Sequence, residues 1–407
     1  MICRHCNKEL VHEFIDLGKA PPSNNYLTSD NLNSPENYFP LKVMVCDNCW
    51  LVQTQDFNNA DELFTDEYAY FSSTSKSFLD HAKDYSIKII DYLDLNQESF
   101  VVELASNDGY LLKNFHNKNI PCLGIEPTAS TAAASREIGI ETLEEFFGTE
   151  LAVNLSKNKK ADLIIGNNVY AHVPNINDFT LGIKELLSSS GTVTLEFPHL
   201  LELVNNNQFD TIYHEHYSYL SLHAVSEIFK KSELKVYKVD ILSTHGGSIR
   251  VYGCHINDDK IIDNSFSTLL EKEKEEGLDD INFYKNFSKK AEDIKNEFHS
   301  FLIDCKKNNL TVCGYGAAAK GNTLLNYSGI KKDLISFVCD AAPAKQNKFL
   351  PGSNIPILHP DILKKESNID YIIIFPWNIA DEVISQLDFL KTNGTKFVKA
   401  IPKLTII

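Results

Sequence analysis

Short apolar runs divided by polar helical segments set the rhythm of the chain. Runs over 99–102, 122–125, 161–166 and 192–197 each read as a buried strand, and the first three lead through small or polar residues into segments with helical apolar spacing. The order β-α-β-α-β-α-β predicts a doubly wound α/β domain. A helix over 76–93 precedes it, and two strands over 234–242 and 248–254 follow, joined by Ser243-Thr244-His245-Gly246-Gly247. From 264 to 304 the chain turns charged and glycine-poor, with Glu271-Lys272-Glu273-Lys274-Glu275-Glu276 inside it, and reads as a solvated helical connector. Beyond it, Leu310-Thr311-Val312-Cys313-Gly314-Tyr315-Gly316 and strands over 335–340 and 371–375 predict a second Rossmann-like sheet. The expected division is a metal-binding module over 1–65, a nucleotide-binding α/β domain over 66–265, a connector over 266–300 and a Rossmann-like domain over 301–407.

Composition narrows the classes. A chain of 407 residues is too long for one core, and a formal charge of −16 without a basic patch argues against a nucleic-acid partner. No stretch approaches the roughly 18 to 20 apolar residues of a membrane span. Met1-Ile2-Cys3-Arg4-His5-Cys6 carries no signal-peptide h-region, so the expected location is cytoplasmic. Oligomeric state stays open, with a monomer the simplest expectation.

Nine cysteines, an odd number, argue against a disulfide framework. Four form the pairs Cys3-x-x-Cys6 and Cys46-x-x-Cys49, which is what a closed, structural tetrahedral zinc requires. His5 and His12 lie close by and read as surface residues. The other five, Cys122, Cys254, Cys305, Cys313 and Cys339, read as small hydrophobes.

The chemistry concentrates at strand ends. In Glu103-Leu104-Ala105-Ser106-Asn107-Asp108-Gly109, residues without bulk at Ala105 and Ser106, and Gly109 with its access to positive φ, let the backbone approach a ligand. Glu126 closes the next strand 126 − 103 = 23 residues later, placed for a ribose diol. No G-x-G-x-x-G occurs at this turn, so acid-loop-Gly followed by strand-acid looks like the S-adenosylmethionine site of class I methyltransferases, with an ordinary βαβ turn as the alternative. Asn167, Asn168 and His172 fall on the same rim. Tyr213-His214-Glu215-His216-Tyr217 offers a general base near neutral pH; a metal site and a structural polar cluster are the rival readings. His245 and Arg250 suit a polar or anionic ligand or else an ordinary hairpin, and Tyr315 and Lys320 suit the diphosphate of a nucleotide sugar or else an empty structural unit. Tyr68 and Tyr70 sit in an aromatic, hydroxyl-rich entry segment that could close over a ligand.

Taken together, the two C-x-x-C knuckles, Tyr68-Ala69-Tyr70-Phe71-Ser72-Ser73, Glu103-Leu104-Ala105-Ser106-Asn107-Asp108-Gly109, Asn167-Asn168-Val169-Tyr170-Ala171-His172-Val173, Tyr213-His214-Glu215-His216-Tyr217, His245-Gly246-Gly247-Ser248-Ile249-Arg250 and Gly314-Tyr315-Gly316-Ala317-Ala318-Ala319-Lys320-Gly321 resemble the three-domain sugar C-methyltransferases of deoxysugar pathways over nearly the whole length. The resemblance implies a zinc module, a central S-adenosylmethionine domain and a C-terminal Rossmann-like domain that helps hold the sugar nucleotide. It implies methylation at C3 of a dTDP-linked 4-keto-6-deoxysugar. His216 then looks like the base, Glu215 and Tyr213 like its supporting partners, and His172 with Tyr68 or Tyr70 like active-site contacts. Two rival functions stay open: a methyltransferase fold serving only as a binding or scaffold protein, and an NAD-dependent oxidoreductase using the C-terminal Gly-x-Gly.

Overall fold

The computed structural model describes residues 1–55, 72–74, 76–366 and 368–407. Its central element is a seven-stranded sheet in the order Leu234–Leu242, Ser248–His255, Leu187–Pro198, Ala161–Asn167, Val101–Leu104, Cys122–Ile125, Thr142–Leu143. Ser248–His255 runs antiparallel to both neighbours and the remaining pairings are parallel. Alternation along each strand loads both faces. Val102, Ile164 and Val193 point to the cluster covered by helices Ile176–Leu186 and Leu222–Lys231, while Val101, Leu163 and Ile165 point to the one covered by helix Lys76–Tyr92. Asn175 and Ser221 cap the first two helices by accepting the backbone N–H of Asp178 and Ala224. Strand order reverses beside Val101–Leu104, so the ligand crevice opens beyond its carboxyl end.

Strands His12–Ala20, Phe39–Val45 and Val52–Thr54 form an antiparallel meander at the N-terminus. Its fourth strand, Ser218–Tyr219, comes from the central part of the chain. A linear boundary near residue 65 therefore does not describe the packing, because the segment after His216 is part of the N-terminal sheet. Cys3, Cys46, Cys49 and Leu51 share an apolar cluster with Leu222, Val225 and Ile228 of the central domain, so the cysteine knuckles rest on that domain.

The charged interval forms helices Asn264–Glu276, Ile281–Lys285 and Phe287–Lys307. It is not simply solvated. Phe287, Ala291, Ile294, Phe298 and Leu302 recur at helical spacing and are buried against Phe14, Ile15 and Val43 of the N-terminal sheet and Val312, Leu324 and Ile373 of the C-terminal domain. Glu273 is also buried, accepting the N–H groups of Leu222 and His223 at 2.6 and 2.8 Å at the positive end of helix Leu222–Lys231. The C-terminal sheet has the order Ile357–Leu358, Val338–Cys339, Val312–Tyr315, Tyr371–Ile374, Lys396–Lys399, Thr405–Ile406, parallel except for the last strand. No helix among the described residues is long and apolar enough to cross a membrane.

Phe287 stacks on Phe14 with ring centroids 4.5 Å apart and joins the long helix to the N-terminal sheet. Phe287→Ala should cost about 3 to 5 kcal/mol, read as a lowered thermal unfolding midpoint; an unchanged midpoint would contradict this packing.

Candidate active site

The loop after Val101–Leu104 is held open by backbone conformations that side chains rarely adopt: φ is 55° at Ala105, 50° at Asn107 and 74° at Gly109. Gly109 has the positive φ expected of it, and a β-carbon there would also lie 2.7 Å from Ser135 Oγ and 3.2 Å from Ile138 Cδ1, so the glycine admits helix Ala129–Glu137 as well. Ser106 is fully buried beneath the loop beside Gly124. Glu126 accepts Asn107 N–H at 2.9 Å with one oxygen and Thr128 N–H at 3.0 Å with the other, pinning the loop to the next helix while each oxygen keeps a lone pair for a diol.

Acid dominates this crevice. Burial drives the Glu103 carboxyl well above its usual range, and Glu126 and Asp108 push it further. Glu103 Oε2, Ser106 Oγ, Asp108 Oδ1 and Asn167 Oδ1 are buried acceptors without a hydrogen-bond partner among the described residues. None of the three carboxylates has a basic ion-pair partner there either. Unsatisfied carboxylate oxygens around an open backbone loop fit a cationic, diol-bearing ligand, and S-adenosylmethionine carries both a sulfonium and an ammonium. Asn168, at φ 55°, donates its N–H to Glu196 O at 2.7 Å and turns the rim.

The imidazoles assemble across the crevice from 3-10 turn Tyr170–His172 and the loop before Ser218–Tyr219. His172 and His216 meet with ring centroids 4.7 Å apart, and Tyr213 lies over His216 at 4.0 Å. His216 Nδ1 bonds Thr211 O at 2.9 Å and His172 Nδ1 bonds Glu215 O at 2.8 Å; the carbonyls can only accept, so both Nδ1 atoms carry hydrogen and both Nε2 atoms are the basic ones. Burial lowers both imidazole pKa values, His172 to about 4, with His172 adding to the effect at His216. The supporting role expected of Glu215 is corrected. Its carboxyl accepts from Asn24 Nδ2 at 3.1 Å and is pushed up to about 7 by burial, while the Thr211 carbonyl orients His216. Tyr68 and Tyr70 lie outside the described residues.

Other expected contacts divide. The Arg250 guanidinium is buried and paired with Glu196, which His81 also meets at 2.9 Å, while its Nε has no hydrogen-bond partner among the described residues. Burial alone would raise Glu196, but these two partners hold it at about 2. Tyr315 is corrected as well, since its ring belongs to the apolar cluster of the C-terminal domain with Cys313 and Ile372. At the Gly-x-Gly turn, Asp340 takes the Ala317 N–H at 2.7 Å and Pro376 packs against Gly316, while Tyr26 and Lys345 both donate to Ala317 O. Lys320 donates to Asn378 Oδ1 at 2.8 Å, and His245 sits at φ 55° with Phe78 at 5.3 Å. Thr211, Asn24 and Asp210 escaped notice in the sequence because a carbonyl, a loop amide and an isolated acid carry no spacing signal.

The four knuckle cysteines converge, all Sγ atoms within 4.8 Å of one another, with Cys3 to Cys49 at 3.6 Å and Cys6 to Cys46 at 3.5 Å. Tetrahedral zinc with Zn–S bonds of about 2.3 Å needs sulfurs about 3.8 Å apart, so four thiolates here fit zinc with no open position. Gln53 Nε2 donates to Cys3 Sγ at 3.2 Å while its Oε1 accepts the Arg4 N–H at 2.9 Å, a neighbour that orients the thiolate. His12 is a half-buried partner of Asp47 at the surface. His5 is not: it is buried, bonded to Asn177 at 2.8 Å.

A seven-stranded sheet with an acid-lined loop at its switch point defines an S-adenosylmethionine-dependent methyltransferase of class I. Family models described as "Putative zinc binding domain", "Methyltransferase domain" and "C-methyltransferase C-terminal domain" match residues 3–64, 78–239 and 243–402. The chain is 32% identical over 408 residues to the C-methyltransferase NovU of Streptomyces niveus, covering 100% of this chain and 96% of NovU. It belongs to this family of C-methyltransferases. Among solved structures, it is similar to PH0226 from Pyrococcus horikoshii OT3 (14% identity, 46% of this chain, 95% of that chain, TM-score 0.38) and to magnesium protoporphyrin IX methyltransferase from Synechocystis PCC 6803 with bound SAH (12%, 44%, 82%, TM-score 0.34).

Two outcomes follow from this geometry. Cys46→Ser should reduce bound zinc, measured by atomic absorption, and lower the unfolding midpoint; a wild-type protein that is stable without zinc would refute a structural metal. Because burial depresses the imidazole pKa, the basic form persists below the ordinary value of about 6.5, and the acid limb of the kcat/KM pH profile should fall below that value. A limb above pH 6.5 would place the titrating base elsewhere.

Proposed function

We propose that this C-methyltransferase acts on a nucleotide-linked keto-deoxysugar, methylating C3 of a dTDP-linked 4-keto-6-deoxyhexose through a base-generated enolate. The observation that carries the reading is the His216 imidazole, whose Nδ1–H is spent on Thr211 O so that Nε2 keeps its lone pair, facing a second neutral imidazole. Carbon is a poor nucleophile until it loses a proton, and a ketone next to it makes that proton acidic. His216 Nε2 takes the C3 proton, and Tyr213, its ring centroid 4.0 Å away and tilted by 33°, packs against the imidazole. Bound over the Ala105 to Gly109 loop, with Glu103, Glu126, Asn167 and Asn168 around it, S-adenosylmethionine supplies an already activated methyl group. The chain contributes alignment of the two ligands and exclusion of water.

His172, with Nδ1–H fixed to Glu215 O, is a second contact for the substrate oxygen side. Between the domains the nucleotide carrier finds the C-terminal helix Ala319–Ser328, and the protein acts as one chain in this scheme. Full retention of the base argues against a scaffold role, and Asp340 and Pro376 at the Gly-x-Gly turn argue against an oxidoreductase.

His216→Ala should reduce turnover by at least about 100-fold while S-adenosylhomocysteine affinity, measured by calorimetry, stays within a few-fold. Near-normal turnover of that variant would remove His216 as the base. Assaying dTDP-, GDP- and CDP-linked ketosugars side by side identifies the carrier, and methylation of none of them would overturn the sugar assignment.

A further inference from the structure

Asp210 stands on the 3-10 turn Phe209–Thr211, one residue before the carbonyl that orients His216, and only 1% of it is exposed. Its Oδ2 accepts the indole N–H of Trp377 at 2.7 Å, whereas its Oδ1 is buried without a hydrogen-bond partner among the described residues. Trp377 belongs to the C-terminal domain. The far edge of its ring lies against Gly246, where a β-carbon would come within 2.4 Å of Cη2. His245, the residue before, has a buried Nε2 that is also without a partner among the described residues. Lys320 covers the same ring, its ammonium 4.5 Å from the centroid.

Trp377 therefore gathers an unsatisfied carboxylate oxygen, an ammonium and an unsatisfied imidazole nitrogen from three separate segments. Leaving a buried acceptor unmet costs about 1 to 3 kcal/mol, so the arrangement calls for a polar ligand group. Lys320 also acts electrostatically on both His216 and His245, which places its charge on the same side of the crevice as the base.

We propose that Asp210 and Lys320 form a subsite for the methyl acceptor, in which the Asp210 carboxylate receives an acceptor hydroxyl and the Lys320 ammonium donates to the oxygen where enolate charge develops. This rests on the enolate reading above. As His216 Nε2 takes the proton, the C–H electron pair becomes the carbon–carbon π bond and the carbonyl π pair moves onto oxygen. Lys320 keeps its own proton and donates only a hydrogen bond. When carbon takes the methyl group the sulfur–methyl bond of the donor breaks, its electron pair stays on sulfur and S-adenosylhomocysteine leaves; the ketone re-forms, and the proton stays on the imidazole until product leaves. The C-terminal domain thereby completes the reacting centre.

The test uses the full-length protein with a dTDP-linked 4-keto-6-deoxyhexose. Lys320→Met should lower kcat about 100-fold, the loss seen when one oxyanion donor is removed, with KM within a few-fold. It should equally slow solvent deuterium entry at the carbon beside the ketone, measured in D2O with S-adenosylhomocysteine in place of the donor. Lys320→Arg should recover part of both rates, and Asp210→Asn should raise KM. Lys320→Gln serves the same comparison if the methionine variant does not fold. A raised KM with unchanged kcat in Lys320→Met would make Lys320 a phosphate anchor and overturn the proposal, as would wild-type exchange. Rapid exchange by His216→Ala would instead sink the base assignment, a separate outcome.

Discussion

One hydrogen bond, from His216 Nδ1–H to the Thr211 carbonyl, decides what the site can do, because it settles which nitrogen of the imidazole is basic and where it points. A bond to a backbone carbonyl is only as rigid as the backbone, and here three parts of the chain hold it. Thr54 of the N-terminal sheet donates its hydroxyl to His216 O at 3.0 Å. Thr323 of the C-terminal domain donates to Ile212 O at 2.8 Å, and Trp377 donates to Asp210. The proposed base belongs to the central stretch, yet its geometry is imposed by the two flanking modules.

The crevice is electrostatically divided. Its cofactor side holds Glu103, Asp108 and Glu126 without basic partners among the described residues, and burial with the two neighbouring acids pushes the Glu103 carboxyl well above its usual range. The side proposed for the acceptor holds His172, His216, His245 and Lys320, all with charged forms disfavoured by burial. Neutral imidazoles are bases, charged ones are not, so the same desolvation that costs stability prepares proton abstraction.

The zinc knuckles contribute at a distance. Cys3 is tied through Gln53 to Arg4, and Arg4 donates to the carbonyls of Pro174 and Thr54, the first two residues beyond His172 and the second the residue whose hydroxyl holds His216. A closed metal site cannot turn over substrate, but it can stiffen the N-terminal sheet, into which the His216 loop leads and beside which the His172 turn is held.

Much of this was legible in the sequence where chemistry depends on local spacing. Paired cysteines two residues apart, strand-loop-acid at Glu103 and Glu126, the strands at 234–242 and 248–254, and the imidazole-carboxylate run at 214–216 are signals carried by neighbours, and period alone separates strand from helix. What spacing cannot carry is which partner a side chain meets across the fold. Arg250 is paired with Glu196 from another strand, the Tyr315 ring packs in the apolar cluster of the C-terminal domain, and Gly109 lets a helix approach the loop. Charge along 264–304 suggested a solvated linker, yet its helical stripe from Phe287 to Leu302 is the core shared by the two flanking sheets. Only tertiary packing brings Asp210, Trp377, Lys320 and His245 to one point, because burial and electrostatic pairing depend on distance through space and the chain encodes only distance along itself.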